Sequence, residues 1–285
     1  MGLLFIALSI FCSLAIAQLL KLAENKRLSI IKVLVFNYLT AFFISLFSSE
    51  LFTVAFSVEE FDHWIYISVF ILGVIFIANM VAYSRSIHRV GMGVSIAAMR
   101  MSLIFPIAVS LFVFGESIEW FRYGGILLAL AALILMLPKI EKTNIPGIQD
   151  AWLPLLIFLM TGMADTGMKV YERLFVHQIS ENLFLSGIFL ISFLVGLAIL
   201  FRRKELHFSR IEIGYGIVIG IVNLYASVFL IYALKLMPGS VVFPLVNVTL
   251  VVLGTIIGIF AWKDQPTNKQ WTGLCIAIIS IILLL

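Results

Sequence analysis

The chain has 285 residues, of which 62% are hydrophobic and 12% charged, and its mean hydropathy is +1.15. Soluble domains are close to half apolar and a quarter charged, so this chain has too few polar residues to cover a water-soluble fold. Its net charge of +4 comes from basic residues between apolar runs, which is typical of a polytopic membrane protein. We therefore expect the lipid bilayer as its surroundings and no nucleic-acid partner.

The first apolar run leaves one alternative open. Ala15-Ile16-Ala17 resembles a signal-peptidase site that follows an apolar stretch. However, no basic residue precedes the run, which continues through Leu20. We interpret it as a first membrane helix and keep cleavage as the minor alternative.

At roughly 20 apolar residues per membrane crossing, the sequence predicts an all-α membrane protein with ten transmembrane helices. Helices are favoured over barrel strands because the runs are long and show no apolar–polar alternation. In chain order the predicted helices are 2–20, 30–47, 64–84, 93–114, 120–138, 153–170, 183–201, 213–234, 241–262 and 268–285.

The polar segment 139–150 divides these helices into two sets of five, residues 1–138 and 151–285. Similar residues recur 148 positions apart in the two sets: Lys21 and Lys169, Gly91 and Gly239, Glu116 and Asp264, Gly125 and Gly273. Because five is odd, a second copy enters the bilayer from the other side. The sequence thus predicts two inverted repeats, an architecture typical of transporters with a site near the bilayer midplane.

Basic residues are unevenly divided between the two sides of the predicted bundle. Fourteen of the nineteen Lys and Arg residues lie in or beside the odd-numbered loops, four lie on the other side, and Arg100 lies within a helix. The positive-inside rule places the odd loops in the cytoplasm and both termini outside.

Three segments of the second set, 232–235 (YALK), 238–247 (PGSVVFPLVN) and 270–273 (QWTG), resemble the repeat of the drug/metabolite transporter (DMT) superfamily, EamA-like branch. The first set is similar at Gly91, Phe105-Pro106, 114–116 (FGE) and Gly124-Gly125. The resemblance implies a carrier in the plasma or inner membrane that moves a small metabolite, often as an exporter, through a cavity between inverted halves.

The chain departs from the pattern of that family in two respects. Lys263-Asp264 stands where a glycine and a glutamate are usual, which keeps the acid and loses the glycine. The family is also commonly drawn with both termini in the cytoplasm, whereas the charges of this chain favour the reverse.

Polar side chains within the predicted helices are candidate site residues, because burying them in hydrocarbon is costly. Arg100 can hold a carboxylate or phosphate of a substrate with two parallel hydrogen bonds. Alternatively, it extends to a wet boundary or bonds carbonyls of a neighbouring helix.

Asp165 and Lys169 are four residues apart on the sixth helix and therefore share one face. Asp165 is a candidate for the group that couples transport to protons, with Lys169 as the second possible coupling residue. The alternative, which the spacing favours, is a local ion pair between the two side chains.

Four further polar residues are expected to bind substrate: Asn79, Tyr83, Asn223 and Asn247. Pro106 and Pro244 free backbone carbonyls in their helices, and loosened backbone is how such folds build polar sites. Interhelical hydrogen bonds that hold the bundle together are the competing interpretation.

The pattern of reactive residues disfavours an enzyme. All four histidines lie at helix ends or in loops, and no phosphate-binding loop or nucleophile elbow is present, so we expect no metal site and no cofactor. The sequence leaves three alternatives to a metabolite carrier: a translocator of lipid or lipid-linked sugar, a non-transporting membrane protein and a membrane-embedded enzyme. It predicts no oligomeric state.

Overall fold

The computed structural model describes residues 1–49, 62–90, 92–136, 152–263 and 265–285, and every regular element in these ranges is helical. The α-helices are α1 (Gly2–Asn25), α2 (Ile30–Phe47), α3 (His63–Arg89), α4 (Met92–Met101), α5 (Ile104–Ala108), α6 (Trp120–Met136), α7 (Trp152–Val170), α8 (Glu181–Arg203), α9 (Arg210–Leu236), α10 (Gly239–Trp262) and α11 (Asn268–Leu284). Short π-helical turns, Val109–Val113 and Tyr171–Phe175, follow α5 and α7.

These helices have the length and hydropathy of membrane spans. Within the described residues, eight segments of 18 residues or more are apolar enough to cross a bilayer, and α6 and α11 are apolar helices of 17 residues each. Exposed tryptophans lie near helix starts, Trp64 and Trp120 at one end of the bundle and Trp152 and Trp271 at the other. Tryptophan is enriched at both membrane–water boundaries. The apolar helices and the two groups of tryptophans together confirm an all-α, multi-pass membrane protein.

Successive spans run in opposite directions. At one face of the bundle, the amino-terminal face, α1, α8 and α10 begin and α2 and α9 end. Bonds between side chains join these ends, as where Lys235 Nζ lies 2.8 Å from Glu181 Oε2. At the opposite face, Ser29 N donates a 3.2 Å hydrogen bond to Glu212 Oε1 and links the starts of α2 and α9.

The fourth predicted helix, 93–114, is not continuous. It divides into α4 and α5, with Ser102 and Leu103 in a turn between them and a π-helical turn at its end. Pro106 accounts for the break, because its ring excludes the carbonyl four positions earlier, that of Ser102, and it offers no N–H in return. Pro244, by contrast, lies inside the continuous helix α10.

The other helices lie at the predicted positions, and several of them extend a few residues beyond the predicted apolar runs. α6 ends at Met136. Residues 137–138 of the fifth predicted helix, the linker 139–150, Gly91 and Asp264 lie outside the described residues.

The helices of the first half pack mainly against helices of the second half. α1 and α2 contact α9, α2 and α3 contact α8, α3 and α4 contact α7, and α6 contacts α11. The α6–α11 contact is close at both ends: a Cβ on Gly125 would lie 3.0 Å from Leu284, and one on Gly273 would lie 2.6 Å from Met136. Helices from the two ends of the chain are therefore interleaved through one core.

Candidate functional site

Arg100 and Asn247 meet across the two halves. Each lies eight residues beyond the start of its helix, α4 or α10, and those helices begin at opposite faces. Eight residues correspond to about 12 Å of helix, close to half of the roughly 30 Å hydrocarbon thickness. Arg100 Nη1 donates a 3.1 Å hydrogen bond to Asn247 Oδ1, and Asn247 Nδ2 donates to Phe243 O at 3.0 Å. The pair thus lies near mid-depth.

The Arg100 guanidinium has a donor that forms no hydrogen bond. Its Nε is buried without a hydrogen-bond partner. Asp165 and Tyr83 interact with it electrostatically, yet among the described residues no carboxylate lies within the 4.0 Å of an ion pair with Arg100. A cation in hydrocarbon whose donors are partly unsatisfied is suited to receive an anionic group.

α3 and α7 supply the other side of this site. Asn79 Nδ2 donates to Thr161 Oγ1 at 3.0 Å, and Thr161 Oγ1 lies 3.3 Å from Asn79 Oδ1. Tyr83 is one helical turn from Asn79, and Asp165 is one turn from Thr161, so the four side chains share facing sides of α3 and α7. We call the resulting set the central polar cluster: Asn79, Tyr83, Arg100, Thr161, Asp165 and Asn247.

Asn223 does not belong to the central polar cluster. Its Nδ2 donates a 3.2 Å hydrogen bond to Asn37 Oδ1 in the contact between α2 and α9. Gly220 and Gly216, one and two turns earlier on α9, bring its backbone against α2 in the same contact. At Asn223 the structure thus has the interhelical hydrogen bond that the competing interpretation predicts, and substrate binding by Asn223 stays a prediction.

The ion pair considered for Asp165 and Lys169 is wrong. Lys169 is buried, and its Nζ lies 2.7 Å from Glu116 Oε1 and 2.5 Å from Glu172 Oε2. Two carboxylates at the amino-terminal face hold the ammonium there, which separates Lys169 from Asp165 and from the central polar cluster. Asp165 is left with Arg100 as its electrostatic partner.

Glu116 organises a second polar site, at the amino-terminal face. Gly115, with φ +62°, turns the chain after the π-helical turn Val109–Val113, in a backbone conformation that glycine adopts without strain. The Glu116 carboxylate then accepts hydrogen bonds from Gly239 N (2.9 Å), Ser240 N (2.9 Å) and Ser240 Oγ (2.8 Å). Pro238 supplies no side-chain cap to α10, so Glu116 satisfies the free N–H groups of that helix.

We call the residues Glu116, Lys169, Glu172, Gly239 and Ser240 the Glu116 clamp. The clamp joins the connection that follows the π-helical turn Val109–Val113, the end of α7 and the start of α10. Burial raises the pKa of the Glu116 carboxyl, but the hydrogen bonds from Lys169, Ser240 and Gly239 outweigh burial and hold that pKa below its ordinary value. The carboxylate is therefore charged at neutral pH.

Gly239 is required by the close packing in this clamp. A Cβ at that position would lie 2.6 Å from Ser110 Oγ and 3.0 Å from Lys169 Cδ. We expect Gly239→Ala to lower the free energy of unfolding by about 1–3 kcal/mol through overpacking, measured as a lower melting temperature in detergent.

Gly254→Ala is the matched control for this substitution. Gly254 lies on the same helix, and a Cβ there would meet nothing within 4 Å. The control is expected to be neutral or more stable by up to about 1 kcal/mol, because alanine favours helix. Equal melting temperatures for the two variants would contradict the packing argument.

Sequence reasoning did not identify Thr161 or the roles of Glu116 and Glu172. Thr161 was visible only as a small polar residue beside Gly162. Glu116 recurs as an acid in the proposed repeat, but its partners Gly239 and Ser240 lie 123 and 124 residues away. No local pattern in the sequence indicates such a contact.

The matches to known proteins fall into three kinds. Residues 151–285 match the model of the EamA-like transporter family. An uncharacterized protein of Haemophilus influenzae is 27% identical over 292 residues, which cover 97% of this chain and 95% of that protein. One solved crystal structure has the same fold, with a TM-score of 0.78 over 99% of this chain and 95% of its own, at 10% sequence identity.

Proposed function

Through residues 151–285 the chain belongs to the EamA-like transporter family of the DMT superfamily, and from that premise we propose that it is a secondary carrier of a small anionic metabolite. The carrier works by alternating access in the plasma or inner membrane, with export as its direction. We infer the substrate class from Arg100, which lies at mid-depth and whose buried Nε has no hydrogen-bond partner. A carboxylate or phosphate satisfies such a group with two parallel hydrogen bonds.

The proposal includes two inverted five-helix halves, residues 1–138 and 151–285, and the α6–α11 contact supports this. Gly125 packs on Leu284 and Gly273 packs on Met136. Adding 148 to the first-half residues of the two contacts, 125 and 136, gives 273 and 284, which are the second-half residues of the same two contacts in exchanged order. A two-fold relation between the halves accounts for this exchange.

Arg100 and Asn247 support the same arrangement. They are 147 residues apart, within one residue of the repeat shift, and they are bonded to each other. Residues at nearly equivalent positions of the two halves contact each other only near the two-fold axis that relates the halves. Inverted-repeat transporters place their substrate sites at this position.

In the proposed mechanism the substrate anion binds between Arg100 and the side chains of Asn79, Tyr83 and Asn247. An anion at this position approaches Asp165, and like charges in a low-dielectric site favour the neutral, protonated form of one of them. Substrate binding and proton uptake by Asp165 are then coupled. The Glu116 clamp holds the amino-terminal face closed in this conformation, and its release opens that face.

Translocation of a lipid or lipid-linked sugar requires a lateral opening that reaches the central polar cluster. A small anion needs only the contact with Arg100, whose buried Nε has no hydrogen-bond partner at mid-depth. Membership of a transporter family fits a protein that is not an enzyme. A metabolite carrier is therefore the proposal we favour.

A vesicle assay tests this proposal directly. Purified protein in liposomes loaded with a mixture of carboxylated and phosphorylated metabolites is expected to release at least one of them, faster when a proton gradient is imposed. Mass spectrometry of the external solution measures the release, and empty vesicles are the control. Folded protein that moves none of the metabolites in either direction contradicts the proposal.

A further inference from the structure

A cavity of about 510 Å³ lies between α3, α7 and α8, and its lining includes no residue of the central polar cluster. Its walls are mostly apolar and include Ala78 and Val81 of α3, Leu156 and Met160 of α7, and Val195 of α8. Its volume is in the range of ligand pockets in proteins. A smaller cavity of about 100 Å³ adjoins it and shares Val81, Arg85 and Arg203.

Three guanidinium groups line one end of the larger cavity. Arg85 comes from the last turns of α3, and Arg202 and Arg203 come from the last turn of α8. All three are exposed, and within the described part of the chain none of the three side chains has a hydrogen bond or an ion pair. Like charges gathered without a counter-charge repel one another, so this end of the cavity is complementary to an anion.

The helix dipole accounts for only part of this cluster. Basic residues in the last turn of α8 are stabilised by its carbonyl end, which explains Arg202 and Arg203 without any ligand. It does not explain why Arg85, from another helix, lies with them, nor why an apolar cavity lies beneath all three.

The cavity runs from the membrane boundary into the hydrocarbon region. Trp152 lines it at the start of α7 and is 50% exposed, as expected of a tryptophan at the boundary. Met160 lies eight residues further along α7, about 12 Å deeper. The arginines are thus at the level of lipid headgroups and the apolar wall is at the level of acyl chains.

We propose that this cavity binds one anionic phospholipid, with its phosphate at Arg85, Arg202 and Arg203 and an acyl chain between α7 and α8. This site goes beyond the transport function, because none of its residues belongs to the central polar cluster. The opposite face, where it opens, is also the face richer in Lys and Arg, which the charge distribution predicts to be cytoplasmic. Anionic lipids in that leaflet attract basic residues near the surface. The bound lipid joins α3 to α7 and α8 of the other half.

Lipid binding to the full chain in neutral detergent tests the proposal. We expect phosphatidylglycerol to remain bound in native mass spectrometry and to raise the melting temperature, while phosphatidylcholine of the same chain length does neither. Replacing all three arginines by glutamine is expected to weaken phosphatidylglycerol binding by about tenfold or more, because each basic residue near a membrane surface contributes severalfold in affinity. Arg210→Gln, an exposed basic residue of the same face outside the cavity, is the matched control.

A second variant separates the acyl chain from the charge. Val195→Phe fills the apolar wall, keeps the three arginines and is expected to weaken phosphatidylglycerol binding as well. Inorganic phosphate in place of lipid is expected to raise the melting temperature little, and an equal rise would indicate a small-anion site and overturn the proposal. Unchanged lipid binding in the triple arginine variant overturns it too. None of these outcomes depends on transport, so failure here is distinguishable from failure of the carrier proposal.

Discussion

Arg100→Gln is expected to reduce flux of the anionic metabolite found in the vesicle assay by about tenfold to a hundredfold at low substrate concentration. The substitution removes the positive charge and the fork of donors, and hydrogen bonds to charged groups contribute about 1.5–3 kcal/mol each. Folding is expected to be little affected, because the Arg100 side chain has one hydrogen bond and an unsatisfied Nε in the folded protein. Initial rates in vesicles and melting temperatures in detergent measure the two effects.

Two further variants sharpen this prediction. Arg100→Lys keeps the charge but loses the two-pronged geometry, so partial flux is expected. Arg122→Gln removes a guanidinium that pairs with Glu119 at 3.4 Å, outside the central polar cluster, and is expected to leave flux unchanged. If Arg100→Gln transports as well as the unaltered protein, Arg100 does not bind the substrate.

Glu116→Gln is expected to lower the free energy of unfolding at pH 7 by about 2–3 kcal/mol and to loosen the amino-terminal face. An amide has one accepting oxygen and no charge, so it cannot serve Gly239 N, Ser240 N and Lys169 Nζ together. Removing one partner of a buried ion pair destabilises the fold. The loss is limited here because Lys169 still pairs with Glu172. Melting temperature measures the stability loss.

The stabilisation by the Glu116 carboxylate depends on pH. The folded protein lowers the pKa of Glu116 from an ordinary value of 4.5, so the stabilisation is complete above pH 4.5 and is lost as pH falls through the lowered pKa. The difference in melting temperature between the Gln variant and the unaltered protein should therefore be largest near neutral pH and shrink under acid conditions. A difference that is independent of pH would contradict the role given to the Glu116 charge.

Accessibility of the amino-terminal face distinguishes a clamp from a merely stabilising contact. Ser110 is fully buried beside Gly239, so a cysteine at Ser110 is expected to react with a water-soluble maleimide faster in the Glu116→Gln background. Glu119→Gln is the matched control, since the Glu119 side chain is 63% exposed on the same connection. Equal labelling rates in the two backgrounds would leave Glu116 without a role in closing this face.

Local chemistry allowed much of the fold to be predicted. A membrane span needs a long apolar run, and this requirement acts on each segment separately, so the positions of the spans followed from composition alone. Arg100, Asp165 and Asn247 could be selected for the same reason, because a polar side chain in hydrocarbon is conspicuous wherever its partners lie. The 148-residue recurrence of Gly125 and Gly273 was also readable, and both glycines lie in the α6–α11 contact.

The sequence did not determine which polar side chains pair with each other, and the tertiary structure decided it. Spacing along one helix favoured Lys169 for Asp165, but Glu116, 53 positions away in the sequence, and Glu172 hold its ammonium instead. Asn223 resembled Asn247 in the sequence, yet one bonds Asn37 between α2 and α9 and the other bonds Arg100 at mid-depth. These outcomes depend on which helix faces meet across the two halves. A polar group buried among apolar neighbours bonds to whatever polar group the packing brings within reach, so its partner is determined by the fold as a whole.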